Sequence, residues 1–335
     1  MINVHDIGIC LDPVLASRPQ QLERSLAHFQ ALGFRLVEIN PSPFGPIIDG
    51  ELRRPQLETL LAVLKNFDLR YSVHGLDRLN LAYDPRYELC RRIMVCQIEL
   101  CRAIGASTLV YHSGLQALDA ARHGVRTSLL SDEELAEGAQ REIRAFKDLA
   151  PVAADAGVYI CMENGDPHQW EYDLVARFGH PRSALLKHHP RLRVEPIVRQ
   201  LEAIDHPSVA MTLDVGHLYI AANDLGFDYL EAVSEAAPWV KHVHVHDNFG
   251  RLDQGFDTAR DRWPFGEADV HLPPGWGYIP YRQVCARLPD YENDLVLEIE
   301  PGLWDYCGEG RKTMLEILDH GNVGRVGTTE VVTTG

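Results

Sequence analysis

Eight short runs rich in Val, Ile and Leu recur along the chain, each separated from the next by a longer amphipathic stretch, and this alternation constrains the fold more than any other feature. The runs occupy residues 7–11, 35–39, 69–74, 108–112, 158–162, 209–214, 240–246 and 295–299. Nearly continuous apolar strands alternating with helical patterns signal a parallel sheet, because a parallel neighbour is reached only through a long crossover. Helical periodicity is clearest over 85–104 and 132–156, and Gly33, Gly105 and Gly157 stand just before the following strands, where a helix end needs a left-handed residue. No Gly-x-Gly-x-x-Gly follows the first run, which disfavours a dinucleotide-binding doubly wound sheet. The repeat predicts an α/β fold of the (β/α)8, or TIM, barrel type, with one domain over 1–320 and a C-terminal tail at 321–335.

Two connections exceed the usual length, 164–196 after the fifth strand and 247–278 after the seventh. Both leave strand C-termini, the face on which barrel active sites sit, so both are expected to cover or select a substrate.

Bulk properties narrow the function classes. A content of 45% apolar and 24% charged residues is that of a soluble globular protein. No segment approaches the roughly 20 apolar residues of a membrane helix and no basic stretch precedes an apolar run at the start, which predicts a cytoplasmic protein without a membrane partner. The formal net charge of −16 repels polyanions, so nucleic acid is excluded as the expected partner, while a homo-oligomer stays open. The 7 cysteines form no Cys-x-x-Cys pair and read as reduced thiols.

The titratable residues fall at strand ends: His74, His112, Glu163, Asp214, His244 and Glu298. Side chains alternate across a strand, which fixes the direction of each. With Leu295, Leu297 and Ile299 packed outward under helices, Glu298 and Glu300 turn toward the barrel axis. Likewise Val243 and Val245 outward leave His242, His244 and His246 inward, and Leu69, Tyr71 and Val73 outward leave His74 inward. Carboxylates gathered in this way repel one another unless cations neutralise them, and mixed imidazole and carboxylate donors suit zinc, manganese, iron or cobalt. Two further spacings belong to the same end of the barrel, Asp214-x-x-His217 and Asp269-x-His271.

This ordered set, Glu163, Asp214-x-x-His217, His244-x-His246-Asp247, Asp269-x-His271 and Glu298, resembles the xylose-isomerase-like barrels, which include sugar and sugar-phosphate isomerases and epimerases, inosose dehydratases and zinc apurinic endonucleases. The resemblance implies that Glu163, Asp214, His244 and Glu298 hold a common divalent metal. It also implies that His74 and His112 join Glu163 at a second ion and that His217, Asp269 and His271 hold a third, giving one to three ions per chain. The sequence departs from the family pattern by an insertion at about 252–268, ahead of Asp269.

Two activities follow as expectations. One is isomerisation or epimerisation of a sugar, sugar phosphate or related polyhydroxy carbonyl compound through an enediolate, with Glu163 and Glu298 removing and returning the proton; a dehydratase of a keto-polyol is its near variant. The other is a multinuclear metal-dependent hydrolase of a small phosphate ester. His217 reads equally as a ligand or a substrate contact, and His246, Asp247, Trp276 and Glu300 as substrate-binding or supporting residues, with Trp276 also readable as a loop anchor. His242, deeper in its strand, reads as structural.

Overall fold

The computed structural model describes residues 2–11, 18–112, 116–255 and 258–322. Eight parallel strands close into a barrel: β1 Asn3–Leu11, β2 Leu36–Ile39, β3 Arg70–His74, β4 Thr108–Tyr111, β5 Tyr159–Glu163, β6 Val209–Asp214, β7 Val240–Val245 and β8 Glu292–Leu297. They pair in chain order around the ring, and β1 against β8 closes it, with Ile7 opposite Leu295 and Ile9 opposite Leu297. The expected runs are recovered to within a few residues. The largest differences are at β1 and β8, which begin at Asn3 and Glu292, because polar residues there pair with each other at the closed end of the barrel before the apolar runs start.

The outward-facing residues of the strands form one core with the helices around them. Ile7 and Ile9, Val37, Tyr71 and Val73, Leu109, Ile160, Val243 and Leu295 pack with Leu22, Leu26 and Phe29 of the helix Pro19–Ala31, Met94 and Ile98 of Tyr87–Ile104, and Phe146 and Leu149 of Asp132–Ala156. Each fully buried aliphatic or aromatic side chain contributes about 1.5–3 kcal/mol through removal from water. Gly105 and Gly157 end their helices with φ of 80° and 70°, as their places in the sequence predicted.

The long connections are folded. After β5 the chain forms the helix Gln169–Arg177, the short turns Arg182–Ala184, Leu185–His188 and Pro190–Leu192, and then the crossover helix Val194–Ile204. Leu174, Val175, Leu185 and Leu192 pack there with Leu118, Ala121 and Leu129 into a second, smaller core above the barrel mouth. After β7 the short helix Ala259–Arg262 and the turn Trp263–Phe265 occupy the insertion. The final helix Cys307–Asn322 carries two residues past the expected domain boundary, and the remainder of the 321–335 tail lies outside the described residues. Among the described residues no helix is long and apolar enough to cross a membrane.

The helix Asp132–Ala156 is started by a capping box, in which the Ser131 hydroxyl accepts from the Glu134 amide at 3.2 Å and the Glu134 carboxylate accepts from the Ser131 amide at 2.8 Å. Ser131→Ala leaves that amide without its side-chain partner and is expected to lower stability by about 1 kcal/mol. Urea denaturation monitored by circular dichroism measures the loss, and an unchanged midpoint would show that the box does not stabilise the helix.

Candidate metal and active site

The C-terminal mouth of the barrel collects its acidic and imidazole groups through the strand geometry. His74, Glu163 and Asp214 are the last residues of β3, β5 and β6, His244 lies one residue from the end of β7, and Glu298 directly follows β8. Donor atoms of Glu163, Asp214, His244 and Glu298 all come within 4.8 Å of one another, as do those of His74, His112 and Glu163, and those of His217, His246, Asp269 and His271. Glu163 belongs to two of these groups, which makes it a bridge between them. The residues anticipated from the strand ends are therefore brought together, and the insertion leaves Asp269 and His271 at the mouth.

His244 shows how one ring is held. Its Nδ1 lies 2.7 Å from Glu163 Oε1 and 3.5 Å from Glu298 Oε2, while Nε2 lies 2.9 Å from Glu38 Oε1 on the opposite side. Glu38 is fully buried inside the barrel, where its other oxygen accepts from the Ser72 hydroxyl and contacts His242 Nε2, both at 2.8 Å. Burial alone would raise the Glu38 carboxyl, but His244 and His242 outweigh it and hold it well below the usual carboxylate range. In the neutral ring, Nε2–H donating to Glu38 would leave the Nδ1 lone pair facing the mouth, the orientation in which metal-bound imidazoles are held. His242 is accordingly part of the support under His244.

Asp214 explains the Asp-x-x-His spacing. It is the N-cap of the helix Val215–Leu225, accepting from the His217 amide at 2.6 Å, and an N-cap and its third helical residue lie on the same side of the first turn. His217 thus points back over the mouth, with Nδ1 3.2 Å from the Asn164 carbonyl and Nε2 3.2 Å from Asp269 Oδ2. Asn164 braces the neighbouring strand end: its side-chain amide donates to the Asp214 carbonyl at 2.9 Å and accepts from the Asp214 amide at 3.0 Å. Gly216 makes room for His246, since a Cβ there would lie 2.1 Å from that ring.

The remaining imidazoles close around Asp269. His271 Nε2 lies 2.5 Å from Asp269 Oδ2 and its Nδ1 3.1 Å from the Glu298 carbonyl, with the backbone held at φ 45°, a left-handed conformation uncommon for a residue with a side chain. His246 stacks on His271 at 4.1 Å and reaches Asp214 Oδ1 at 3.1 Å and Asp269 Oδ1 at 3.2 Å. It is therefore as close to the third group as the residues anticipated there. His74 and His112 meet nitrogen to nitrogen at 3.1 Å, and His112 Nε2 lies 2.5 Å from Glu163 Oε2.

Charge balance at the mouth is internal. Burial raises Glu163 and Asp269, but the surrounding imidazoles hold both well below the usual carboxylate range, and Asp214 is lowered in the same way. In return the carboxylates raise His217 and His244 well above an ordinary imidazole against the opposing effect of burial. Even so, Glu163 Oε2, Asp214 Oδ2, Asp269 Oδ1 and His246 Nδ1 are buried without a hydrogen-bond partner. Buried acceptors of this kind cost free energy unless satisfied, and divalent cations bound by nitrogen and oxygen donors fit them.

His74, His112, Glu163, His217, Asp269, His271 and Glu298 line a cavity of about 330 Å³ that also takes in Asp77, Asn164, Asp166, His168 and His189, while Asp214, His244 and His246 lie behind its wall. A second hollow shares Glu298, Asp269 and His271 and adds Cys10, Asn40 and Glu300. Of the residues expected to support the site, Glu300 reaches this rim while capping the turn Pro301–Tyr306 through the Gly302 amide. Asp247 and Trp276 are not among the residues lining the cavity. Asp247 accepts from the amides of Gly275 at 2.8 Å and Ile279 at 3.2 Å, because it turns into the following loop, and Trp276 Nε1 donates to Glu309 at 2.8 Å. Both anchor that loop. Glu38, Asp77, Asp166, His168 and His189 were not found from the sequence. Only Glu38 carried a signal, a lone carboxylate in the apolar strand Leu-Val-Glu-Ile.

Two outcomes test this geometry. Gly216→Ala is expected to displace His246 and weaken manganese or zinc binding by at least tenfold, measured by competition with a chelating dye; unaltered affinity would remove His246 from the site. His271 is raised to about 9 because Asp269 outweighs burial. A raised imidazole contributes stability that is complete below its unfolded pKa of about 6.5 and is lost as pH climbs through the folded value. In chelator-treated protein the melting temperature should therefore fall from about pH 6.5 to 9, and His271→Asn should flatten that fall.

Against known proteins, a family model described as a xylose isomerase-like TIM barrel matches residues 26–316. No curated protein matches by sequence. Among solved structures, a D-tagatose 3-epimerase-like protein superposes with a TM-score of 0.66 at 17% identity, covering 95% of this chain and 98% of the other. The D-psicose 3-epimerase of Clostridium cellulolyticum, solved with D-tagatose, gives 0.60 at 16% identity, with 95% and 98% covered. A Thermus thermophilus protein soaked with zinc chloride gives 0.58 at 18% identity, with 96% and 99% covered. These structural likenesses show the fold, and the family match extends over most of the sequence: the chain belongs to the xylose isomerase-like TIM barrel family.

Proposed function

We propose that this protein is a divalent-metal-dependent isomerase or epimerase of a sugar or related polyhydroxy carbonyl compound. The observation that carries the reading is the pair Glu163 and Glu298, two carboxylates from β5 and the end of β8 that face one cavity and converge with Asp214 and His244. The epimerases among the structural relatives act on ketoses by their titles, D-tagatose, D-psicose and L-ribulose, which supports a small sugar as substrate.

Glu163, Asp214, His244 and Glu298 would hold the metal. When bound, the ion supplies Lewis-acid stabilisation of the negative charge that grows on a carbonyl oxygen as the neighbouring carbon loses its proton. The protein's part is positional and acid–base. Glu38 fixes the His244 ring, Asn164 fixes the Asp214 backbone, and one carboxylate oxygen each of Glu163 and Glu298 takes and returns the proton at the carbon between them. The folded β5 connection lends Asp166, His168 and His189 to the cavity wall, where with substrate bound it would limit water access to a carbanion-like species. A cytoplasmic setting fits this reading.

A second reading is favoured by one observation, the sharing of Glu163 between two donor groups beside the third around Asp269. Multinuclear clusters of this kind suit hydrolysis of a small phosphate ester.

Metal analysis of the purified protein together with deuterium exchange tests the two. The isomerase reading expects incorporation of solvent deuterium beside the carbonyl of D-tagatose, D-fructose or L-ribulose, and a fall of about 10²–10⁴-fold in Glu298→Gln. Three tightly bound ions, hydrolysis of p-nitrophenyl phosphate and no exchange would instead establish the hydrolase.

A further inference from the structure

The β5 connection contributes a polar wall to the cavity that the proton-transfer chemistry leaves unused. His189 is 1% exposed, yet it lines the cavity. Its Nδ1 lies 3.0 Å from Oε1 of Glu171, which is itself fully buried, off the line of a full hydrogen bond. The opposite edge of the ring lies against Gly165, where a Cβ would come within 2.7 Å of Nε2. Only glycine lets the imidazole edge pass the backbone and reach the cavity at this point.

The mounting is rigid. The His189 amide donates to the Leu185 carbonyl at 2.8 Å, and the Gly165 amide donates to the Arg191 carbonyl at 3.0 Å, which ties the first turn after β5 to the segment carrying His189. Leu185 and Leu192, both 0% exposed, flank the ring's segment and anchor it in the second core. Glu171 is also fixed, its second oxygen accepting from the His168 amide at 2.9 Å in a capping box. A carboxylate behind Nδ1 favours the tautomer in which Nδ1 carries the proton and Nε2 offers a lone pair. Dyads of this form orient an imidazole toward a ligand hydroxyl.

We propose that His189, oriented by Glu171 and admitted by Gly165, is a substrate-binding residue whose Nε2 hydrogen-bonds a hydroxyl of the part of the sugar distal to the Glu163–Glu298 pair. The inference rests on the isomerase reading and deepens it by naming the substrate class. Among the described residues lining the cavity there is no Lys or Arg, whereas Asp77, Asp166 and Asn164 stand near the same wall. Imidazole, amide and carboxylate groups pair with neutral hydroxyls and give a phosphate no cationic side chain. The recognised portion is thus a neutral polyol, and Glu171 acts through His189 as a positioning residue.

Calorimetric titration of the manganese-loaded full-length protein with D-tagatose, D-fructose, L-ribulose and D-fructose 6-phosphate tests this directly. His189→Ala should weaken the best-bound ketose by about tenfold, the size of one lost hydrogen bond to a buried partner, with metal content at the wild-type value; its melting temperature falls because buried Glu171 loses its imidazole, so affinities are compared well below the unfolding transition. His189→Gln, which keeps a polar group, should recover part of the loss, and Glu171→Gln should show a smaller loss of affinity, read in turnover as a rise in KM with kcat retained. Equal affinity of His189→Ala and wild type overturns the proposal, as does tighter binding of the phosphate than of D-fructose or a loss of ketose affinity that is accompanied by loss of bound metal. If wild type binds the ketoses and His189→Ala does not, but no deuterium exchanges, the isomerase reading fails and the binding role stands. No wild-type binding to any of these sugars overturns both.

Discussion

Glu163, Asp214 and Glu298 can be buried, and Asp269 half-buried, at one barrel mouth only if positive charge is buried with them. A carboxylate withdrawn from water loses several kcal/mol of solvation, and neighbours of like sign add to the cost. The fold answers by interleaving imidazoles: His244 between Glu38, Glu163 and Glu298, and His217, His246 and His271 around Asp269. What remains is a set of buried oxygen and nitrogen atoms, Glu163 Oε2, Asp214 Oδ2, Asp269 Oδ1 and His246 Nδ1, that face opposite charge without completing a hydrogen bond and that belong to the converging donor groups. That unfinished satisfaction is the physical basis for proposing cations at the site.

The same residues serve the local fold and the site. Asp214 starts a helix and presents a carboxylate; Asn164 joins two strand ends and borders the cavity; Glu300 caps a turn and lines the rim. Because each side chain is held by at least one backbone group, the donors are positioned before any ligand arrives, which lowers the reorganisation that binding and proton transfer would require. The loop after β7 is organised from below in a similar way, with Asp247 gripping the amides of Gly275 and Ile279 while Asp269 and His271 return to the mouth. This accounts for an insertion that leaves the third donor group in place: its added residues fold as their own short helix and turn, and the bridge between Asp247 and Leu272 closes the base of the excursion.

Most of the donor set was legible in the sequence because strands have a two-residue period. Once Val243 and Val245 are assigned to the helical side, His244 has no direction left but the interior, and Leu297 with Ile299 does the same for Glu298. The spacing Asp214-x-x-His217 is likewise local, being the geometry of a helix N-cap. Glu38 was harder to see, since it lacks a companion at a recognisable spacing and gains meaning only from His242 and His244, which are distant along the chain. Asp247 points the other way: its place beside the strand-seven histidines suggested a role at the substrate, but past the strand end the two-residue period no longer governs direction.

The sequence by itself determined the barrel, the inward face of each strand and the chemical character of its mouth, because alternation and helix caps are short-range and repeat. Only the tertiary structure decided that Glu38 stands under His244, that His246 joins the third group, and that His189 reaches the cavity from a distant turn through the gap at Gly165. Such contacts depend on strand register and on how the long connections pack, and both are settled by burial summed over the whole chain.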